Sequence, residues 1–240
     1  MATSDDPRTR TGVPALRVLA AALALLATTL PGGAAAAADA EPPNGFLYEP
    51  PDRRPPGAQE HRVKTPAGWL LEHVAAHLRE LGMRVEQTDR GERRLLVALY
   101  AGDPREFVDC GLVSMVLGGE GEAPRVLQRY SANRPETRTY RVLRGRRVGL
   151  LREMRLDARV VVGIAPGKDD EGARVTSEAV YVLTKTVSRV YEGGVAGPVL
   201  DREVVSFGSD GIGRFAKGTR CVATGRLEDL PALPFRSPPR

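Results

Sequence analysis

Cys110 and Cys221 are the only two cysteines in the chain, and thiols offer three kinds of chemistry. A pair can form a disulfide, one thiolate can act as a nucleophile, and several can bind a metal ion. The absence of a C-x-x-C motif excludes a thioredoxin-like redox site. We predict a structural disulfide between Cys110 and Cys221, because an even cysteine count is typical of disulfides in exported chains. Catalysis and metal binding are the alternatives.

His73 and His77 are four residues apart, so both could lie on the same side of a helix. Such a pair could orient a cysteine nucleophile or contribute to a metal site. A zinc site needs more ligands than two distant cysteines and these histidines easily supply. The motifs of serine hydrolases, P-loop proteins, zinc proteases and dinucleotide-binding enzymes are absent from the sequence. We therefore predict a protein without enzymatic activity, metal or cofactor.

The first 40 residues have the pattern of a secretory signal peptide. Basic residues precede an uncharged apolar run over residues 18–30, which is shorter than the roughly 20 residues of a membrane-spanning helix. Small residues satisfy the cleavage rule after Ala38 and also after Ala40. We predict a periplasmic or secreted protein, with an uncleaved membrane anchor as the alternative.

The chain carries a formal net charge of +5 and has a sequence pI of about 9.5. A basic protein raises nucleic acid as a partner. Predicted export and the absence of a DNA- or RNA-binding motif lead us to predict no nucleic-acid partner. An anionic membrane surface of the cell envelope is the more reasonable target of a basic face.

Residues 41–64 contain six prolines, which favour an extended tether over helix or sheet. Phe46, Leu47 and Tyr48 form an apolar triplet within this segment. The segment is either a flexible leader or a docking segment that presents apolar anchors on an extended chain. We predict that the triplet docks on an envelope protein.

The clearest helix follows the tether. Thr65 is a typical N-cap, Pro66 suits the first helical position, and Gly82 is a typical stop. Apolar residues at helical spacing predict one buried stripe, formed by Leu71, Val74, Leu78 and Leu81.

The last third of the chain is predicted to be β-structure. Apolar residues alternate over 154–164, which places Met154, Leu156, Ala158, Val160, Val162 and Ile164 on one face. A long return strand is predicted over 173–191, and short connections favour antiparallel pairing. The predicted fold class is α+β, an antiparallel sheet covered by one main helix. We place this domain at 65–230, before a Pro-rich tail at 231–240.

Residues 68–104, GWLLEHVAAHLRELGMRVEQTDRGERRLLVALYAGDP, resemble a unit of the BamC family, accessory lipoproteins of the outer-membrane β-barrel assembly machinery. The likeness lies in Trp69 at the helix start, in LGMRVEQTDR, and in the apolar strand that ends in YAGDP. It implies a helix-grip fold behind an N-terminal segment that docks on a partner, and a role as an outer-membrane assembly component.

Two other functions stay open on the sequence alone. A helix-grip sheet can curl around a cavity between helix and sheet, which predicts a periplasmic protein that binds a small apolar ligand. Cys110 could also serve a Cys-dependent hydrolase if the thiol were free.

Overall fold

The computed structural model describes residues 45–117, 125–143, 146–168, 172–191 and 195–236. These residues belong to one compact unit, Ala40–Arg240. The predicted signal peptide lies outside the described residues, and so does the end of the predicted tail at 237–240.

Helix α1, Ala67–Glu80, begins two residues after Thr65, and Pro66 occupies the N-cap position without a side-chain cap. Its stripe is formed by Leu70, Leu71, Val74, Ala75 and Leu78, all of which are buried. Leu81 is 46% exposed and does not belong to the stripe, because the helix has already ended. Gly82 ends the helix as predicted, with a φ of 79° that favours glycine.

Thirteen strands lie within the described residues. The first seven are β1 (Gly45–Glu49), β2 (Gln59–Val63), β3 (Arg84–Asp89), β4 (Arg94–Ala101), β5 (Val108–Asp109), β6 (Leu112–Leu117) and β7 (Arg125–Ser131). The others are β8 (Glu136–Leu143), β9 (Arg146–Pro166), β10 (Ala173–Val190), β11 (Ala196–Gly208), β12 (Ile212–Arg214) and β13 (Arg220–Ala223). A short helix α2, Arg226–Asp229, and 3-10 turns at Pro104–Glu106 and Leu233–Phe235 complete these elements.

The strands form three antiparallel sheets. The large sheet has the order β11-β10-β9-β4-β3, and in addition β2 pairs with β10 and β8 pairs with β9. A second sheet has the order β1-β6-β7, and a third has the order β12-β13-β5. The chain is therefore mostly antiparallel β-sheet with few helices, in agreement with the coarse α+β prediction.

The alternation predicted for residues 154–164 is confirmed. All six even-numbered residues of this run are at most 4% exposed, and β10 presents Tyr181 and Leu183 on the same side. These side chains share one hydrophobic core with the stripe of α1. Directly opposed residues of two strands lie on one face of a sheet, so the two long strands β9 and β10 supply most of this inner face.

The structure differs from the predicted tether over 41–64. β1 pairs with β6, β2 pairs with β10, and Val63 is only 5% exposed. The prolines at 50, 51, 55 and 56 lie in the connection between β1 and β2, so they do not interrupt either ladder.

The predicted tail also begins too early. Ala232 is fully buried, and Leu233 and Phe235 pack against the core. The folded domain therefore continues to at least residue 235 and begins before residue 65.

Candidate functional site

The predicted disulfide between Cys110 and Cys221 is confirmed. Both residues are fully buried, and the bond joins the segment between β5 and β6 to strand β13. In this bonded form neither sulfur is available as a nucleophile or as a metal ligand. The neighbouring Asp109 accepts a hydrogen bond from the Gly111 amide at 2.8 Å and lies 3.4 Å from Arg53 Nε. Its contacts therefore connect backbone segments of the fold.

His73 and His77 lie on α1 and are both half-buried. The Nδ1 atom of His73 lies 2.8 Å from the carbonyl oxygen of Trp69, one helical turn earlier. Within the part of the chain that the structure describes, no group of three or more His, Cys, Asp or Glu residues is placed to hold a metal ion.

The predicted docking triplet is part of strand β1. The Tyr48 hydroxyl accepts a hydrogen bond from the Arg220 amide at 2.8 Å and donates one to the Arg220 carbonyl at 3.1 Å. Burial raises the pKa of Tyr48 above its usual value. Phe46 and Leu47 are 56% and 46% exposed and point to opposite faces of the strand. The docking role of the triplet stays a prediction.

A cavity of about 470 Å³ lies between the β1-β6-β7 sheet and the large sheet. We call it the inter-sheet cavity. Its apolar lining consists of Phe46, Val113, Leu150, Met154, Val187, Leu200 and Phe215. Its polar lining consists of Tyr130, Thr137, Thr139, Arg152, Lys185, Asp201, Lys217 and Thr219. Small-molecule sites are commonly of roughly 300–1,000 Å³ and mostly apolar, with a few polar groups that orient the ligand.

Strand pairing explains why these side chains meet. Arg152 on β9 pairs with Thr137 on β8 and with Val187 on β10, and Val187 pairs in turn with Asp201 on β11. These four residues form one row across the inner face of the large sheet. The row lies beyond the part of the sheet where α1 packs, and no residue of α1 lines the cavity. The cavity is therefore between two sheets, whereas the sequence predicted one between helix and sheet.

Arg152 is the cation of this row. Its Nη2 atom is 3.4 Å from the Thr137 hydroxyl, and its buried Nε has no hydrogen-bond partner among the described residues. No ion pair joins it to a carboxylate in the described part of the chain. Burial lowers the pKa of Arg152, and the nearby Tyr130 partly opposes this effect. Arginine nevertheless stays protonated in proteins, so a positive charge faces the cavity.

Lys185 is a second cation of the lining, and it is only 8% exposed. It forms an ion pair with Glu203, its direct neighbour on β11. Its ammonium nitrogen also lies 4.8 Å from the centroid of the Phe215 ring, within the usual range of a cation–π contact. Unlike Arg152, Lys185 is therefore neutralised within the protein.

Arg152 and Lys185 line this candidate site but are not among the site residues predicted from the sequence. The alternation recognised from Met154 onward extends backward to Arg152, at the same parity. Lys185 likewise lies in step with Tyr181 and Leu183, which are both inward-facing. A charged residue at a position where the alternation predicts an inward apolar side chain is the sequence signal that indicates such a site.

Comparison with protein-family models, with curated proteins and with solved structures finds no match to this chain. Within the described residues, none of the helices has the length and hydropathy required to cross a membrane.

Proposed function

We propose that the protein is a non-enzymatic, exported protein of the cell envelope that binds a small, largely apolar ligand in the inter-sheet cavity. The observation that carries this proposal is the cavity itself, about 470 Å³ in volume, with walls supplied by the inner faces of two sheets. Seven of its fifteen described lining residues are apolar, and four charged groups at fixed positions could orient a ligand.

A binding role without chemistry is supported by the composition of the lining. The described lining residues include one carboxylate, Asp201, and no Ser, Cys or His. General acid–base catalysis and covalent catalysis most often use these side chains in hydrogen-bonded pairs. Thr, Tyr and Lys residues remain, and they suit hydrogen bonding and charge recognition.

Export is supported by the disulfide and by the predicted signal peptide together. A buried disulfide between distant parts of the chain is typical of proteins that fold in an oxidising compartment. The proposed location is the periplasm or the extracellular medium.

A neutral apolar fluorophore tests the proposal directly. N-phenyl-1-naphthylamine should bind with increased emission, because its rings leave water for the cavity. Val187→Trp should weaken this binding on the order of tenfold, since overfilling a packed site costs about 1–3 kcal/mol. The matched control is Val180→Trp, on the same strand but at an outward position that is 49% exposed. Equal binding by wild type, Val187→Trp and Val180→Trp would contradict a ligand in this cavity.

An accessory role in outer-membrane assembly is the second candidate. The outer face of the large sheet exposes apolar residues that no described element covers: Tyr100, Val161, Val180 and Val204, between 38% and 60% exposed. A helix-grip arrangement is favoured by α1, which packs on the opposite side against β3, β4, β9 and β10. In this role the chain would resemble BamC proteins and bind an envelope protein, with an anionic membrane surface as a further contact for its basic charge.

One experiment distinguishes ligand binding in the cavity from docking of a partner on the outer face. Val180→Lys combined with Val204→Lys should remove an envelope protein from cross-linked material if the outer face docks it. Val187→Trp should leave that cross-link unchanged. Loss of the cross-link only with Val187→Trp would contradict docking on the outer face.

A further inference from the structure

Arg152 has an unbalanced charge inside the inter-sheet cavity. Its one polar contact among the described residues is the 3.4 Å contact with the Thr137 hydroxyl, although a guanidinium has five N–H donors. The other buried cation of the lining, Lys185, has Glu203 as its partner. Among the described lining residues, Lys185 therefore has an adjacent carboxylate and Arg152 has none.

The charges of the cavity point to a single negative charge on its occupant. The lining cations are Arg152, Lys185 and Lys217, and Glu203 neutralises Lys185. Asp201 is the one carboxylate of the described lining, and it lies two strands away from Arg152, with Val187 between them. Strands are roughly 4.8 Å apart, so Asp201 is on the order of 10 Å from Arg152 across the sheet. With its three cations, its one carboxylate Asp201 and the adjacent Glu203, the described lining keeps a net charge of +1.

We propose that the ligand is an anionic amphiphile, whose oxyanion head group pairs with Arg152 and whose apolar chain fills the rest of the inter-sheet cavity. This inference rests on the proposed binding function. A guanidinium binds carboxylate or phosphate oxygens through parallel N–H donors, and such charge-assisted hydrogen bonds are stronger than neutral ones. Thr137 and Thr139, on β8 beside Arg152, add hydroxyl groups that can donate to the same head group.

The apolar side of the site suits a hydrocarbon chain. Leu150 and Met154 flank Arg152 on the same face of β9, and Phe46 and Phe215 contribute from other segments. A chain that lies against these residues gains roughly fourfold in affinity for each added CH₂ that is buried. The head group would decide orientation, and the chain would supply most of the affinity.

Calorimetric titration of the oxidised chain with four ten-carbon amphiphiles tests the inference. The probes are decanoate, decyl phosphate, decanol and decyltrimethylammonium, each below its micelle concentration. We expect both oxyanions to bind at least roughly tenfold more tightly than decanol, and the cationic probe to bind most weakly. Arg152→Met should weaken decanoate by roughly thirtyfold or more and leave decanol unchanged.

Arg155→Met is the matched control, because Arg155 lies on the same strand with an exposed side chain that is paired with Glu153. It should leave all four affinities unchanged, and the thermal transition of each variant reports folding. A failure of all four probes to bind would overturn the proposed function itself. Equal binding of decanol and decanoate, unaltered in Arg152→Met, would overturn only the head-group inference. Binding of decanoate without decyl phosphate, or the reverse, would support the inference and assign the head group.

Discussion

At the scale of single residues, Arg152 links stability to the proposed ligand binding. Its charge lies in a partly buried site and has no carboxylate partner among the described residues. Removing an uncompensated buried charge in favour of an apolar side chain of similar size is often neutral or stabilising. We therefore expect the charge of Arg152 to lower the free energy of unfolding of the ligand-free protein. Binding of an anion would offset this loss.

Arg152→Met should consequently raise the free energy of unfolding of the ligand-free protein by about 1 kcal/mol. Urea denaturation followed by circular dichroism measures this change. Arg155→Met, at an exposed position, should stay within about 0.5 kcal/mol of wild type. A loss of more than about 1 kcal/mol in Arg152→Met would show that the guanidinium stabilises the fold instead.

His61 gives the fold a pH dependence. It lies on β2 with its Nε2 atom 3.1 Å from Asp229 and in contact with Arg236. Burial and the charge of Arg236 lower the pKa of His61, although Asp229 opposes them. In the unfolded chain His61 titrates near pH ~6.5. Because the folded pKa is lower, the contribution to stability is complete above that pH and is lost as the pH falls toward the folded pKa.

His61→Gln should therefore flatten the fall in stability between pH 7 and pH 5. Urea midpoints of wild type and variant across this range provide the measurement, and all other titrating groups are shared by the two proteins. Parallel curves, or a steeper loss in the variant, would contradict the assignment.

At the scale of elements, strand β2 contributes more to the stability of the fold than its proline-rich context predicts. It pairs with the first part of β10, and Val63 is buried opposite Ala173. Burial of a valine side chain contributes roughly 1.5–3 kcal/mol. The segment is thus a structural strand, and its removal also exposes an edge of β10.

A chain that begins at residue 64 lacks both β1 and β2, so it should melt at least ~3 °C below one that begins at residue 45, since about 1 kcal/mol corresponds to 2–4 °C at this size. If the shorter chain does not fold at all, Val63→Ala against Arg62→Ala makes the same comparison at one strand. Val63→Ala should lower the melting temperature, and Arg62→Ala, at an exposed position, should not. Equal melting temperatures in both comparisons would contradict a structural role of β2 and would support the unpaired tether predicted over 41–64.

The elements that the sequence predicted well are those whose pattern is local. Helix α1 has a stripe and a glycine stop, and β9 alternates cleanly, so both were recognised with errors only at their ends. β7 and β8 give no such local signal, because an arginine-rich strand that is polar on both faces has no apolar alternation. β1 was missed because five residues between prolines carry no periodic signal.

The inter-sheet cavity could not be predicted from the sequence, for a different reason. Its lining runs from Phe46 to Thr219, and these residues meet only through the pairing of distant strands. A sequence pattern predicts which face of a strand a residue occupies, but not which strand lies opposite it. The sequence pattern can thus place Arg152 on the inner face, but it cannot show that Tyr130 and Lys217 line the same cavity.

At the scale of the whole molecule, the disulfide joins two regions that are 111 residues apart in sequence. It links the segment that leads into β6, a strand of the cavity-forming second sheet, to the third sheet. In the chain-entropy model, a bond that closes a loop of about 100 residues stabilises the folded state by up to ~4.7 kcal/mol.

Replacement of both residues, Cys110→Ala with Cys221→Ala, should lower the free energy of unfolding by several kcal/mol, up to about 4.7. Chemical denaturation of the variant against the oxidised wild type measures it. In the wild type, thiol titration under denaturing, non-reducing conditions should detect no free thiol. A change below about 1 kcal/mol, or two titratable thiols in the native protein as purified from an oxidising compartment, would contradict a structural role.

A methyl-resolved NMR titration with decanoate shows whether a small ligand enters between the two sheets. We expect the largest shift changes at Val113, Leu150, Val187 and Leu200, whose side chains line the cavity. We expect unchanged methyl signals at Val180 and Val204, which lie on the exposed outer face. Shift changes centred on Val180 and Val204, or none at any of these methyl groups, would contradict ligand binding between the two sheets.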